Sequence, residues 1–165
     1  MQKKKIVTTN AMRILSASKI PFEAIEYEAD ELKLSDNNFG MHISELTGIE
    51  PERSFKTLVG KGDKIGIIVF CIPVNCELDL KKAAKVTGNK KIELIAVKEL
   101  LALTGYIRGG VSPIGMKKKY PTFFDESLKN FEKAAVSGGV CGVTLLITPA
   151  DLIKVTNAKT FDIVL

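Results

Sequence analysis

Phe55-Lys56-Thr57-Leu58-Val59, then Gly60-Lys61-Gly62-Asp63, then the run from Lys64 to Ile72, is the stretch that decides the fold. The two flanking segments read as strands. The Gly-Lys-Gly-Asp between them reads as a hairpin turn, because glycine and aspartate favour such bends. The second strand is apolar on both faces, with Ile65, Ile67 and Val69 on one side and Ile68 and Phe70 on the other. A strand of that kind belongs inside a sheet that is covered on both sides. In the first strand the period of two puts Lys56 on the face of Leu58, with Phe55, Thr57 and Val59 opposite.

Outward from this hairpin the chain alternates irregularly between helix and strand signals. Thr9 is placed to cap a helix over Asn10–Ser18, with Met12, Ile14 and Leu15 as its apolar side and Pro21 beyond its end. Phe22–Tyr27 reads as a strand, 28–40 as a polar irregular stretch, and His42–Thr47 as a short helix closed by Gly48. Asp79 caps a helix through Val86, with Lys81, Lys82 and Lys85 outward; Lys91–Ile95 is a strand and Val97–Thr104 a helix. Pro121–Phe124, Ala134–Ser137 and Val143–Ile147 are further strands, and Thr148-Pro149-Ala150-Asp151 opens a last helix. Interspersed elements without strict alternation give a mixed α/β or α+β architecture, expected as one domain over residues 1–165.

Composition narrows the function classes. The 165 residues are 45% hydrophobic and 26% charged, a globular balance that excludes wholesale disorder. The longest apolar run, Ile65–Val74, is interrupted by Pro73 and is far short of the ~20 residues of a membrane span. The start, Met1-Gln2-Lys3-Lys4-Lys5, lacks the apolar core of a secretory signal, so the expected location is the cytoplasm. The net charge is +5, and 21 of the 24 cations are Lys. That favours diffuse attraction to a polyanion over bidentate reading of bases, and a solvated lysine surface is the plainer alternative. Cys71, Cys76 and Cys141 are odd in number and read as reduced thiols. With His42 they lack the close C-x-x-C pair that would nucleate a zinc site, so no metal and no cofactor is expected.

The catalytic motifs are few. Gly60-Lys61-Gly62 lacks the spacing of a phosphate loop, and no G-x-G-x-x-G follows a strand. A single histidine, His42, gives a hydrolytic triad nowhere obvious to draw its base. Cys141 in Gly138-Gly139-Val140-Cys141-Gly142 is either a small apolar residue or a nucleophile. Lys56, on the face of Leu58, is either a solvated edge lysine or a partly desolvated, anion-facing one. The loop Gly109-Gly110-Val111-Ser112-Pro113-Ile114-Gly115 is either a tight turn or a set of N–H groups able to hold a phosphate or an oxyanion. Ser137-Gly138-Gly139 offers a second loop of the same kind.

Taken in order, several short motifs resemble one family. They are Thr9-Asn10-Ala11, Asn38-Phe39-Gly40, Phe55-Lys56-Thr57-Leu58, Glu77-Leu78-Asp79-Leu80-Lys81-Lys82-Ala83-Ala84, Thr104-Gly105-Tyr106, the Gly109–Gly115 loop, Lys117-Lys118, Pro121-Thr122 and Ser137-Gly138-Gly139. The chain resembles, over nearly its whole length, the YbaK/EbsC family of aminoacyl-tRNA deacylases, relatives of the editing domain of prolyl-tRNA synthetase. The resemblance implies a bent mixed sheet, partly closed as a barrel and wrapped by helices. It implies a trans-editing deacylase for mischarged tRNA, foremost Cys-tRNA(Pro) and also Cys-tRNA(Cys). Alternatives are an Ala-tRNA(Pro) or other small-residue deacylase, and a non-catalytic module binding tRNA or a synthetase. It implies Lys56 as the catalytic or anchoring amine, with Gly109 and Gly110 offering oxyanion N–H groups. Tyr27, Phe39, Thr57, Ser112, Pro113, Ser137, Gly138 and Thr144 are then expected around the substrate. The implied partners are the aminoacylated 3′ end of tRNA and prolyl-tRNA synthetase, not DNA or a membrane. Lys clusters at 81–85, 90–91 and 117–119 are candidates for tRNA phosphates. Some cysteine-selective members carry an Asp seven residues after the Ser of S-G-G, where this chain has Thr144. With no convincing protein nucleophile, a cysteinyl substrate would supply its own thiol, held near the ester carbon by the site.

Overall fold

The computed structural model describes residues 8–28 and 39–165. The elements run α1 (Asn10–Ala17), β1 (Glu23–Glu26), α2 (Phe39–Thr47), β2 (Phe55–Gly62), β3 (Ile67–Pro73), α3 (Leu80–Thr87), β4 (Ile92–Leu94), α4 (Leu100–Thr104), β5 (Thr122–Asp125), β6 (Ala134–Ser137), β7 (Val143–Ile147), α5 (Pro149–Thr156) and β8 (Lys159–Phe161). The expected caps hold. Thr9 Oγ1 accepts from the Met12 N–H, the Asp79 carboxylate from the Lys81 and Lys82 N–H groups, and Thr148 Oγ1 from the Asp151 N–H. The Lys3–Val7 lead-in and the irregular stretch through Asn38 lie outside the described residues, apart from its first residue, Glu28.

The strands form two sheets, one ordered β1-β7-β6 and one ordered β4-β2-β3-β5-β8. β3 lies at the centre of the larger sheet, antiparallel to β2 and parallel to β5. Its two apolar faces serve two cores. Val69 and Cys71 pack with Phe55, Phe124, Leu145 and Leu152; Ile68, Phe70 and Ile72 pack with Ala83, Ile92, Phe123 and Ile163. The mixed α+β class is as expected, but the barrel is not. The two sheets remain separate ladders joined at one parallel bridge, Ser54 to Ala135.

The hairpin turn is displaced from its expected place. β2 continues through Gly60-Lys61-Gly62, which pair with β4, and the chain turns at 63–66 instead. The cause is Asn89, whose side-chain carbonyl accepts from the N–H groups of Lys64 and Ile65 at 2.9 and 2.8 Å. Gly62 is required by close approach, since a Cβ there would lie 2.4 Å from the Asn89 amide. The second strand therefore begins at Ile67, not Lys64. The helix expected over Val97–Thr104 divides into a 3-10 turn, Val97–Glu99, and α4. β8, parallel to β5, had no counterpart among the expected elements.

Phe70 is fully buried and its ring lies 6.0 Å from that of Phe123. Phe70→Ala should cost about 3–5 kcal/mol in urea unfolding, because the cavity it leaves is enclosed in the core it shares with Ala83, Ile92, Phe123 and Ile163.

Candidate active site

β2 carries the site because of how its outer edge is paired. β4 covers it only over Gly60–Gly62, and the smaller sheet reaches it at the Ser54–Ala135 bridge. Between these points the edge at Lys56–Leu58 opens onto a cavity of about 640 Å³. Tyr27 and the residues Phe39, Gly40, Ile43 and Thr47 of α2 line it, with Ser54–Val59 as its floor. Ala135, Ser137, Val143 and Thr144 close one end, and Leu94, Ile95, Val97 and Leu100 the other. Glu77 and Leu78, before α3, and Arg108, Gly109 and Val111, from the glycine loop, complete the wall.

Lys56 is half-buried, and burial pulls its ammonium below the ordinary lysine range, with Glu77 and then Cys76 opposing that shift. Tyr27 is pushed up to about 12, first by burial, so it is a neutral hydrogen-bonding phenol at neutral pH. Its backbone N–H donates to the Gly142 carbonyl at 2.9 Å, which ties β1 to the loop carrying Cys141. Thr57 Oγ1 lies 3.8 Å from the sulfur of Cys71, whose thiol burial raises to about 12. Thr144 is buried and donates to the Val136 carbonyl at 3.0 Å. Among the described residues, no three His, Cys, Asp or Glu side chains cluster closely enough to hold a metal ion.

Seven of the expected residues share this cavity: Tyr27, Phe39, Lys56, Thr57, Gly109, Ser137 and Thr144. Four stand behind its wall. The Gly110 N–H, expected to face an oxyanion, instead donates to the Ile107 carbonyl at 2.9 Å and closes a turn. Ser112 is fully buried and its hydroxyl accepts from the Ile114 N–H at 3.3 Å. Pro113 is buried beside it. Gly138 donates to the Val143 carbonyl at 2.9 Å and so shapes the β6–β7 turn. These four hold the two loops in place rather than lining the cavity. Gly109, at φ +87°, keeps its place on the wall. Cys141 is not among the lining residues.

The loops are braced from outside. The Tyr106 hydroxyl donates to the Ile114 carbonyl at 2.5 Å, and the Asn10 amide donates to the Gly115 carbonyl at 2.8 Å. A Cβ on Gly110 would lie 3.1 Å from the backbone of Val140 and Cys141, so the two loops pack backbone to backbone. Glu77 and Arg108 were missed as site residues. Both stood within or next to quoted motifs, Glu77 two residues before the Asp79 cap and Arg108 immediately before Gly109.

A family model for the aminoacyl-tRNA editing domain matches residues 42–155. The chain belongs to the aminoacyl-tRNA editing domain family. A relative from Enterococcus faecalis, named "Putative Cys-tRNA(Pro)/Cys-tRNA(Cys) deacylase EbsC", is 44% identical over 98% of this chain and 96% of its own length. A proline–tRNA ligase from Brachyspira hyodysenteriae is 34% identical over 50% of this chain and 14% of the ligase. The crystal structure of a "putative trans-editing enzyme for prolyl tRNA synthetase" superposes with a TM-score of 0.80, covering 97% of this chain and 99% of that one at 24% identity. As an editing domain the protein is an aminoacyl-tRNA deacylase, and the bond it cleaves is the ester between an amino acid and the tRNA 3′ end.

Two outcomes test this geometry. Gly110→Ala should separate the loops, costing about 1–3 kcal/mol of stability and lowering deacylation, because the new methyl meets backbone that has little room to yield. Lys56→Met should raise Tm at neutral pH by about 1–2 °C, a small gain because water still screens the half-exposed amine. The sign follows from the depressed folded-state value. The folded protein bears the cost of the charge below that value, and the cost disappears as pH rises from it towards the unfolded lysine range. The gain from Met should shrink over the same interval in thermal melts.

Proposed function

We propose that the protein removes cysteine from Cys-tRNA(Pro), acting in trans as one unit in the cytoplasm, with prolyl-tRNA synthetase as its partner. The single observation that carries the assignment of roles is that Lys56 and Gly109 face one cavity from opposite elements. The name of the Enterococcus relative supports cysteine as the acyl group and tRNA(Pro) or tRNA(Cys) as its carrier. The match to a proline–tRNA ligase supports the synthetase connection.

In this reading the cysteinyl thiol attacks its own ester carbon. A carbon–sulfur bond forms, the bond to the ribose oxygen breaks, and the thiol proton passes to that oxygen. The products are a cyclic thiolactone, which water then opens, and tRNA with a free terminal hydroxyl. The chain's part is to hold thiol and carbonyl together and to exclude other geometries. Lys56 anchors the ester or terminal nucleotide and balances developing negative charge. Backbone at Gly109 borders the carbonyl oxygen, a role that Gly110 cannot share because its N–H is engaged. Tyr27, Thr57, Ser137 and Thr144 supply neutral polar groups to the cavity wall.

Exposed lysines 81, 85, 90 and 117–119 attract tRNA phosphates in a salt-dependent, sequence-independent manner. Two members of the expected clusters are partly committed within the protein. Lys82 donates to Asp162 at 2.9 Å and to the Val164 carbonyl at 2.8 Å, and Lys91 lies 2.9 Å from Glu93.

The test compares tRNA(Pro) charged with cysteine, alanine and proline. Cysteine should leave fastest, and Lys56→Ala should lower turnover at least a hundredfold while tRNA binding falls less than threefold. Faster release of alanine would make the substrate alanyl-tRNA, with water as the attacking group. Retained turnover in Lys56→Ala would remove Lys56 from the mechanism and leave another nucleophile, which Cys141→Ser tests, whereas tRNA binding by a wild type that turns over none of the three esters would leave a binding module. A pH series adds a signed expectation. The Lys56 cation is present below its depressed folded-state value and lost above it, whereas an arginine keeps its charge. The ratio of wild-type to Lys56→Arg turnover should therefore fall as pH rises, starting below pH 10.5.

A further inference from the structure

Two cationic side chains, Lys56 and Arg108, line the cavity, and the ligand brings a third positive group, the α-ammonium of the aminoacyl ester. Like charges confined together repel, so a site for this ligand needs an anion in its wall. Among the described residues, Glu77 is the only carboxylate that lines the cavity. We infer that Glu77 seats the α-ammonium group of the substrate, so that the site reads a free amine and discriminates against N-acylated esters. The inference rests on the deacylase reading above and extends it to the part of the aminoacyl group that no other wall residue is charged to meet.

The placement of Glu77 suits that role. Its carbonyl accepts from the Leu165 N–H at 3.0 Å, and Leu78 forms an antiparallel bridge with Val164. Asp79 donates its N–H to the Ile163 carbonyl at 2.8 Å while its carboxylate caps α3. The backbone at Glu77 is thus fixed between the end of β3 and a capped helix, and its side chain stands exposed at the cavity. Attraction between Glu77 and Lys56 is one of the forces opposing the desolvation of that amine, which places the carboxylate within electrostatic range of the proposed ester anchor. A group held there can contact an ammonium one carbon from the scissile carbonyl. An N-acyl group removes that positive charge and adds bulk, and it leaves the cysteine thiol able to attack.

Cys-tRNA(Pro) and N-acetyl-Cys-tRNA(Pro) are the substrates for the test, with wild-type protein and Glu77→Gln. Wild type should favour the free amine by about tenfold or more in kcat/KM. Glu77→Gln should lose most of that preference through a higher KM for the free-amine substrate, leave N-acetyl turnover within about twofold, and melt within about 1 °C of wild type. Equal loss on both substrates would overturn the inference, since it would make Glu77 only a counter-ion of Lys56. Equal wild-type rates on both substrates would overturn it too. Wild type cleaving neither ester would overturn the deacylase reading itself and this inference with it.

Discussion

An interrupted strand edge is the constraint on which the site depends. β2 is paired to β3 along its length, so its position is set by a strand that is buried from Ile68 to Pro73. On its other side it is tied at Ser54 and again from Gly60. The five residues between those ties leave a gap of about 20 Å of strand. Open backbone edges invite pairing with other chains and are usually covered or shortened. Here the edge lies at the bottom of a cavity, where α2, the 109–115 loop and the Glu77–Leu78 segment bar another strand. The same interruption lets residues from both faces of β2 line the cavity, which explains how Lys56, Thr57 and Leu58 all reach it.

Rigidity of the opposing wall comes from the residues that do not touch the cavity. Gly110 and Gly138 spend their N–H groups on local turns, and Ser112 caps the turn at Ile114. Tyr106, whose phenol burial raises to about 12, remains a donor to the Ile114 carbonyl at every pH the protein meets. A wall fixed by such bonds need not reorganise when charge develops on the ester, and preorganised polar groups stabilise transition states for that reason. The motif residues therefore divide into those that line the cavity and those that keep the first set still.

Features set by local chemistry were legible in the sequence. The helix caps at Thr9, Asp79 and Thr148 depend on one side chain and the next three residues, and the two-faced apolar run of β3 announces a central strand. The displaced hairpin turn was not legible, because Asn89 fixes it from 24 and 25 residues away. The division into two sheets escaped for a similar reason: Ser54 and Ala135 are remote in sequence. Motif singled out Lys56 and Gly109, which line the cavity, but not which way each N–H of the glycine loop points. Gly110 and Ser112 look like ligand contacts by composition and prove to be internal braces. Glu77 is illegible as a cavity residue because Asp79, two residues on, accounts for the segment as a helix cap, and the wall that Glu77 joins comes from residues remote in sequence.

Thr144 bears on how such a site could select cysteine. Its hydroxyl is committed to the Val136 carbonyl, so the wall at that point presents a methyl and a satisfied oxygen, with no carboxylate. An apolar pocket separates ligands that differ by one methylene by only about 10–200-fold. If sulfur itself performs the attack, selection no longer rests on the fit of the pocket. Proline and alanine carry no nucleophile at that position, and they would survive in a site that binds them equally well. Selectivity then resides in the substrate, and the protein needs only to fold the cysteinyl group towards its own ester. A neutral residue at 144 is compatible with that division of labour, and the demanding part of the site becomes the strand floor, where Lys56 must remain charged despite its burial.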